Sequence, residues 1–244
     1  MEKKSKAEQI FSDKKIISDA GAVVLLSGGQ DSAVCLIWAI KHFARVETCT
    51  LEYGQRHAVE SGYAASLARE FSVPNRKIDL GSVFSDLHCS ALTEKKSDVS
   101  GPHPISSDLP ASFVPNRNSI FLTLACNMAY SRKMFPINLV TGVCETDYSG
   151  YPDCRDIFIR AKSAELSLSL GMSVTIHTPL MQMNKADIFE LAYRYGVINV
   201  LIENTISCYQ GDETLHYWGR GCTECPACVL RKKGYDAYKS RILY

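Results

Sequence analysis

The chain has 244 residues, 46% hydrophobic and 22% charged, with a formal net charge of +1. That length supports one large domain with a substantial core and a small appendage, and the composition is that of an ordinary globular protein. Near-zero charge argues against a general nucleic-acid coat. No apolar run approaches the ~18 residues of a membrane helix, and the polar N-terminus lacks the apolar core of an export signal. A cytoplasmic protein is expected, in which ten cysteines point to metal binding rather than disulfides.

Residues 1–20 read as an extension ahead of the core. AVVLL (22–26) reads as a fully apolar strand, followed by a helix from Asp31 to Phe43. VETCTLEY (46–53) is a second strand, 57–71 a helix and RKIDL (76–80) a third strand. Residues 81–117 gather Pro102, Pro104, Pro110 and Pro115 and read as a long loop, of the kind that forms lids and binding loops. A strongly apolar helix is expected at 118–133 and a fourth strand at 137–143. Helices near 155–170 and 184–195 follow, with a short strand at 174–178 between them. The alternation predicts an α/β fold, a Rossmann-like parallel sheet with helices on both faces. Ligands of such sheets bind at the carboxyl ends of the strands.

SGGQDS (27–32) falls at such an end, between the first strand and the first helix. Glycines there let a ligand approach the backbone closely. The open N–H groups of a helix start attract anions, and serine hydroxyls add donors. Phosphate is the natural guest, although neither GxxxxGK[ST] nor GxGxxG is present. The plainer alternative is a tight turn with Ser27 or Asp31 capping the helix.

Near the C-terminus Cys208, Cys222, Cys225 and Cys228 form C-x13-C-x2-C-x2-C. Four soft ligands with two short gaps suit a tetrahedral, fully protein-liganded and therefore structural zinc; iron–sulfur ligation is the alternative. His216 reads as a solvated loop histidine, with replacement of one ligand as the alternative, and Arg231, Lys232 and Lys233 read as a solvated face. Cys35, Cys49 and Cys126 sit in apolar segments and read as packing residues.

Three further stretches fall on the rim that carries SGGQDS: EYGQRHAVE (52–60), FVPNRNSI (113–120) and TGVCETDYSGYPDCRD (141–156). Arg56, Arg117 and Arg155 can each grip a phosphate or carboxylate bidentately. Asp147 and Asp153 suit Mg²⁺ or the N–H edge of a purine-like ring, and Tyr148 and Tyr151 can stack on a heterocycle. Taken singly, each arginine also reads as a surface ion pair, DYSGYPD as a turn, and Asn116 or Asn118 as a helix cap.

SGGQDS resembles the loop of the PP-loop ATP pyrophosphatases, which bind ATP and release pyrophosphate while adenylating a substrate. Joined by YGQRH, VPNRN, GVCETDYSGYPDCR, TPLM (178–181), Lys185 and the four cysteines in order, it resembles the 7-cyano-7-deazaguanine synthase family of queuosine biosynthesis, over roughly residues 22–240. The resemblance implies a PP-loop domain over 21–203, a C-terminal zinc-binding helical region over 204–244, a homodimer, and no direct nucleic-acid partner. It implies an ATP-dependent C–N ligase that converts 7-carboxy-7-deazaguanine and ammonia to the nitrile by two adenylations through an amide. Nucleotide binding falls to Leu26, Ser27, Gly28, Gly29, Gln30, Asp31, Ser32, Ala33, Val34, Cys35 and Leu36. Substrate binding falls to Tyr53, Gln55, Arg56, His57, Arg117, Asn118, Asp147, Tyr148, Tyr151, Asp153 and Arg155. Asp31 is expected on the Mg²⁺ or pyrophosphate side, with Arg117 and Lys185 stabilising the pentavalent phosphorus. Asn116 stands where the family usually has glycine, and asparagine tolerates a left-handed backbone. Ala33 and Val34 stand where the family often has threonine. The rival reading is a PP-loop tRNA thiolase, which needs a catalytic cysteine or an iron–sulfur cluster.

Overall fold

The computed structural model describes residues 18–54, 59–85, 109–110, 112–145 and 151–242. Five strands, β1 (Ser18–Leu25), β2 (Phe43–Glu52), β3 (Asn75–Asp79), β4 (Ile137–Val140) and β5 (Val174–His177), form one sheet in the order β3-β2-β1-β4-β5. Every pairing in it is parallel. Along β1 the side chains alternate between two cores: Ala22 and Val24 enter one, Val23 the other. That is the two-residue period of a strand with both faces covered, and it explains the unbroken apolar run.

The first core takes α1 (Gln30–His42) and α2 (Val59–Glu70), joined by α6 (Lys185–Arg194), α7 (Ile198–Glu203) and α8 (Pro226–Ile242). The second core takes α4 (Arg117–Ser131) and α5 (Asp156–Leu170) on the opposite face. Asp31 in the first turn of α1 and Lys41 and His42 in its last turn complement the helix dipole.

The chain leaves β1 to build β2 and β3 on one side, then returns to build β4 and β5 on the other. The carboxyl ends of β1 and β4 are therefore the point where the strand order reverses, which is where open parallel sheets place ligands.

Several boundaries differ from the sequence reading. β1 begins at Ser18, so the strand reaches into the stretch taken as an extension, of which 1–17 lie outside the described residues. Within the expected loop, Gly81–Ser85 form a short helix, α3, whose Phe84 packs with Tyr53 and Val114; 86–108 and 111 lie outside the described residues. β2 starts three residues early, at Phe43, because the chain turns directly from α1 into the sheet. The region after α7 shares the first core: Trp218, Tyr235, Tyr238 and three of the cysteines pack there. A two-strand hairpin, β6 (Leu215–His216) and β7 (Gly219–Arg220), leads into the cysteine run.

Candidate active site

Leu25 ends β1, and Ser27, Gly28 and Gly29 turn the chain into α1. Gly28 has φ +91°, and a Cβ on it would lie 2.2 Å from the Glu60 carbonyl oxygen, so only glycine fits. Gly29 occupies the N-cap of α1 and no side chain closes it, which leaves the helix start open. The serines instead brace the loop. Ser32 Oγ donates to the Gly29 carbonyl at 3.0 Å and accepts from the Ser27 N–H at 3.2 Å, and the two hydroxyls lie 3.1 Å apart. The capping readings of Ser27 and Asp31 are thus replaced by a preformed cradle for an anion. Gly142, just past β4, closes its far wall: a Cβ there would meet the Asp31 and Ser32 backbone at 3.0 Å.

Lys185 Nζ reaches Asp31 Oδ2 at 2.8 Å. Lys185 stands at the first position of α6, where the helix dipole disfavours a cation. Asp31 offsets this, and an Asn184–Asp187 capping box fixes the helix start. A Cβ on Gly234 of α8 would come within 2.3 Å of Lys185 Cβ, so the C-terminal helix sets how deep Lys185 sits. Asp31 Oδ1 and both polar atoms of the Gln30 amide are buried without a hydrogen-bond partner among the described residues. Such atoms cost stability unless something occupies them.

The cleft above this loop has a volume of about 380 Å³. Its opposite end centres on Arg117, the first residue of α4. The preceding Asn116 is left-handed, φ 57° and ψ 11°, as expected for the residue in the glycine position, and it makes no side-chain cap. Arg117 lies over the rings of Tyr53 at 5.7 Å and Tyr151 at 5.9 Å and donates to the Tyr53 hydroxyl at 3.4 Å. Burial alone would weaken its proton hold, but the Tyr53 and Tyr151 phenols and the Asp153 carboxylate raise it above the ordinary guanidinium value. Asp153 is drawn in by Asn118, whose backbone N–H donates to Oδ2 at 3.2 Å and whose Nδ2 donates to the Asp153 carbonyl at 3.1 Å. Burial raises the Asp153 carboxyl, with Arg117 and Asn118 pulling back. Its Oδ1 is likewise buried and unpartnered among the described residues.

Glu60, in the first turn of α2, also lines the cleft. Burial pushes its carboxyl up to about 7, against the pull of Arg117. The sequence reading passed over it because a glutamate in a helical first turn is ordinary. Tyr209 and Arg231 line the cleft too. Arg231, expected on a solvated face, is 1% exposed. Its guanidinium, pulled down to about 10 by burial, donates to Leu201 O at 2.6 Å and to Thr205 O and Oγ1 at 3.3 and 2.9 Å, closing the end of α7.

Of the expected nucleotide-binding run, Leu26, Ser27, Gly29, Gln30, Asp31 and Ser32 line the cleft, while Ala33, Val34, Cys35 and Leu36 are buried in the first core. Of the expected substrate residues, Tyr53, Arg117, Asn118 and Tyr151 line the cleft and Asp153 backs them. Arg155 is exposed at the start of α5 and is not among the described residues that line the cleft. Gln55, Arg56, His57, Asp147 and Tyr148 lie outside the described residues.

The sulfur atoms of Cys208, Cys222, Cys225 and Cys228 lie within 4.8 Å of one another. A tetrahedron of thiolates around zinc has edges of about 3.8 Å, and Cys222 and Cys228 stand 4.0 Å apart. The Cys225 N–H donates to Cys222 Sγ at 3.3 Å, and a Cβ on Gly221 would fall 2.3 Å from Cys228 Sγ. The arrangement fits a four-coordinate metal. His216 is not in it: its Nε2 bonds the Gly221 carbonyl at 2.9 Å and its ring stacks on Trp218.

A glycine loop at the switch point of a parallel sheet, opening onto an uncapped helix start, defines a nucleotide-binding α/β protein. The family model of the queuosine biosynthesis protein QueC matches residues 21–239, and the chain belongs to that family. It is 44% identical over 228 residues to a 7-cyano-7-deazaguanine synthase of Wolinella succinogenes, covering 93% of this chain and 97% of that one. A synthase of the same name from Bacillus subtilis is 43% identical over 217 residues, 89% of this chain and 94% of its own. A third, from Lysinibacillus sphaericus, is 44% identical over 219 residues, 90% and 95%. No helix among the described residues is long and apolar enough to cross a membrane.

Proposed function

We propose that this chain makes 7-cyano-7-deazaguanine from 7-carboxy-7-deazaguanine, ammonia and ATP. The observation that carries the reading is one cleft with a phosphate loop at one end and a buried, ring-flanked arginine at the other. A carboxylate is a poor electrophile because its oxygen leaves badly. Attack of that oxygen on the α-phosphorus of ATP expels pyrophosphate and gives an acyl adenylate. Ammonia then displaces AMP and forms the amide. The amide oxygen attacks the α-phosphorus of a second ATP and expels pyrophosphate, and loss of AMP and of both amide N–H protons leaves the nitrile. Both carboxylate oxygens depart on AMP.

In this reading the Gly28 backbone at the open start of α1 and the Ser27 hydroxyl hold phosphate oxygens, with Ser32 bracing the loop behind them, and Lys185 meets the charge that grows on them. Arg117 holds the substrate carboxylate bidentately. The unpartnered Asp153 Oδ1 accepts from the N–H edge of the ring, and Tyr151 packs beside it. Glu60, whose carboxyl sits near neutrality, takes the proton that nitrogen sheds when ammonia attacks. Asp31 Oδ1 is the donor that Mg²⁺ would take, and the ion would spread the phosphate charge. The four thiolates would hold Zn²⁺ as a closed structural site. A cytoplasmic homodimer with small-molecule partners only completes the proposal.

The test is incubation with ATP, Mg²⁺, ammonium and 7-carboxy-7-deazaguanine, with products followed by mass spectrometry. Nitrile with two AMP per turnover, lost in Ser27→Ala, supports the reading. AMP without nitrile moves the substrate elsewhere.

A further inference from the structure

Ser207 stands between two fixed points. Before it, the Ile206 N–H donates to the Gly28 carbonyl at 3.1 Å, and Ile206 bridges to Arg220 of β7. After it, Cys208 belongs to the four-cysteine cluster. Thr205 is held as well, its Oγ1 accepting from the Arg231 guanidinium at 2.9 Å. Thr205, Ile206 and Cys208 are at most 3% exposed. Ser207 is half-buried and lines the cleft.

The Ser207 side chain arrives at the loop that opens α1. Gly29 has no Cβ, and the place one would take lies 3.4 Å from Ser27 Oγ and 3.5 Å from Ser207 Oγ. Two hydroxyls from opposite ends of the chain thus flank one backbone position. Those of the loop itself are engaged. Ser32 Oγ donates to the Gly29 carbonyl at 3.0 Å, and Ser27 Oγ accepts from the Gly29 N–H at 3.3 Å. Ser207 Oγ makes no hydrogen bond among the described residues. Neither does the amide of Gln30, which is 2% exposed and lines the same cleft. An uncommitted hydroxyl and an orphaned buried amide beside an open helix start mark a place that a ligand's polar atoms fill.

We infer that Ser207 is a further phosphate-binding residue, donating its hydroxyl to a phosphate oxygen of ATP beside Ser27. The inference deepens the nucleotide reading above and rests on it. A hydroxyl on a segment already held at both ends loses little freedom when it binds, and a bond to a charged phosphate is stronger than one between neutral groups. The carboxylate end of the cleft draws its side chains from other residues, so affinity for the acid is independent of this hydroxyl.

Ser207→Ala tests this, since it removes the hydroxyl and keeps the backbone of Ile206 and Cys208. ATP binding is titrated calorimetrically with Mg²⁺ and without the acid or ammonia, alongside metal content and affinity for 7-carboxy-7-deazaguanine. One lost hydrogen bond to a charged group predicts ATP affinity weakened about tenfold or more, with metal content intact and affinity for the acid within about twofold. Ser207→Thr, which keeps a hydroxyl, should bind ATP within about threefold of the unaltered protein. Unchanged ATP affinity in Ser207→Ala overturns the inference, as does an equal loss for the acid, loss of metal, or a threonine variant as weak as the alanine one. If the unaltered protein does not bind ATP, the nucleotide reading itself falls and takes the inference with it.

Discussion

At the end of the cleft proposed for phosphate the groups are backbone: two glycines, an uncapped helix start and a pair of serines that brace it, all within residues 27–32. At the end proposed for the substrate carboxylate they are side chains from separate elements, with Tyr53 after β2, Arg117 on α4, Tyr151 and Asp153 before α5, and Tyr209 beside the cysteine cluster. A phosphate loop needs only that one strand and one helix meet correctly. A ring-and-carboxylate pocket needs four segments to arrive together, so packing elsewhere in the molecule is felt there first. Glu60 belongs to both ends, its carbonyl against Gly28 and its carboxyl toward Arg117.

That double membership makes Glu60→Gln the sharpest way to separate the two ends. Amide formation should fall by about 10²–10⁴-fold, while pyrophosphate release from the first adenylation changes little in a rapid-quench measurement. A base must be deprotonated to act, and burial holds this carboxyl up at about 7. With free NH3 held constant across the series, the rate of the unaltered enzyme should therefore rise with pH through about 7 and level off above it. The pH profile of Glu60→Gln should lack that limb.

Gly28→Ala strikes the phosphate end first. The new methyl would sit 2.2 Å from the Glu60 carbonyl at a φ of +91°, so the loop must shift. Displacement on that scale should cost about a hundredfold in kcat/KM for ATP, with affinity for the acid retained in a binding titration. Arg117→Lys attacks the other end. It keeps the charge and loses the planar fork, so the KM for 7-carboxy-7-deazaguanine should rise about tenfold with the ATP KM unchanged in steady-state assays. Arg155→Ala should move every kinetic constant by less than about twofold, because its side chain is exposed outside the cleft. A larger effect would mean that the carboxylate end extends beyond the pocket described above.

The alternation of apolar strands and helices was enough to foresee the parallel sheet, since burying both faces of each strand demands runs such as that of 22–26. SGGQDS was equally legible, because glycine and a helix start act through the backbone and need no distant partner. So was the cysteine cluster, whose short spacings put three sulfurs within reach of one ion. Asn116 was legible for the same local reason, and it is left-handed as its place in VPNRN suggested.

Arg231, Glu60, Tyr209 and Arg155 were not legible, and they share a cause. Each owes its role to which neighbours the fold brings against it. Arg231 stands in a basic run, yet α8 buries it against the end of α7. Arg155 stands in a motif rich in site residues, yet the start of α5 turns it outward. The sequence by itself determined the strands and helices of the main sheet, the backbone cradle and the four-cysteine cluster, because those depend on periodicity, glycine conformations and local spacing. Only the tertiary structure decided which charged and aromatic side chains face the cleft. Burial and pairing are properties of contacts between segments far apart in the chain, and no local pattern records them.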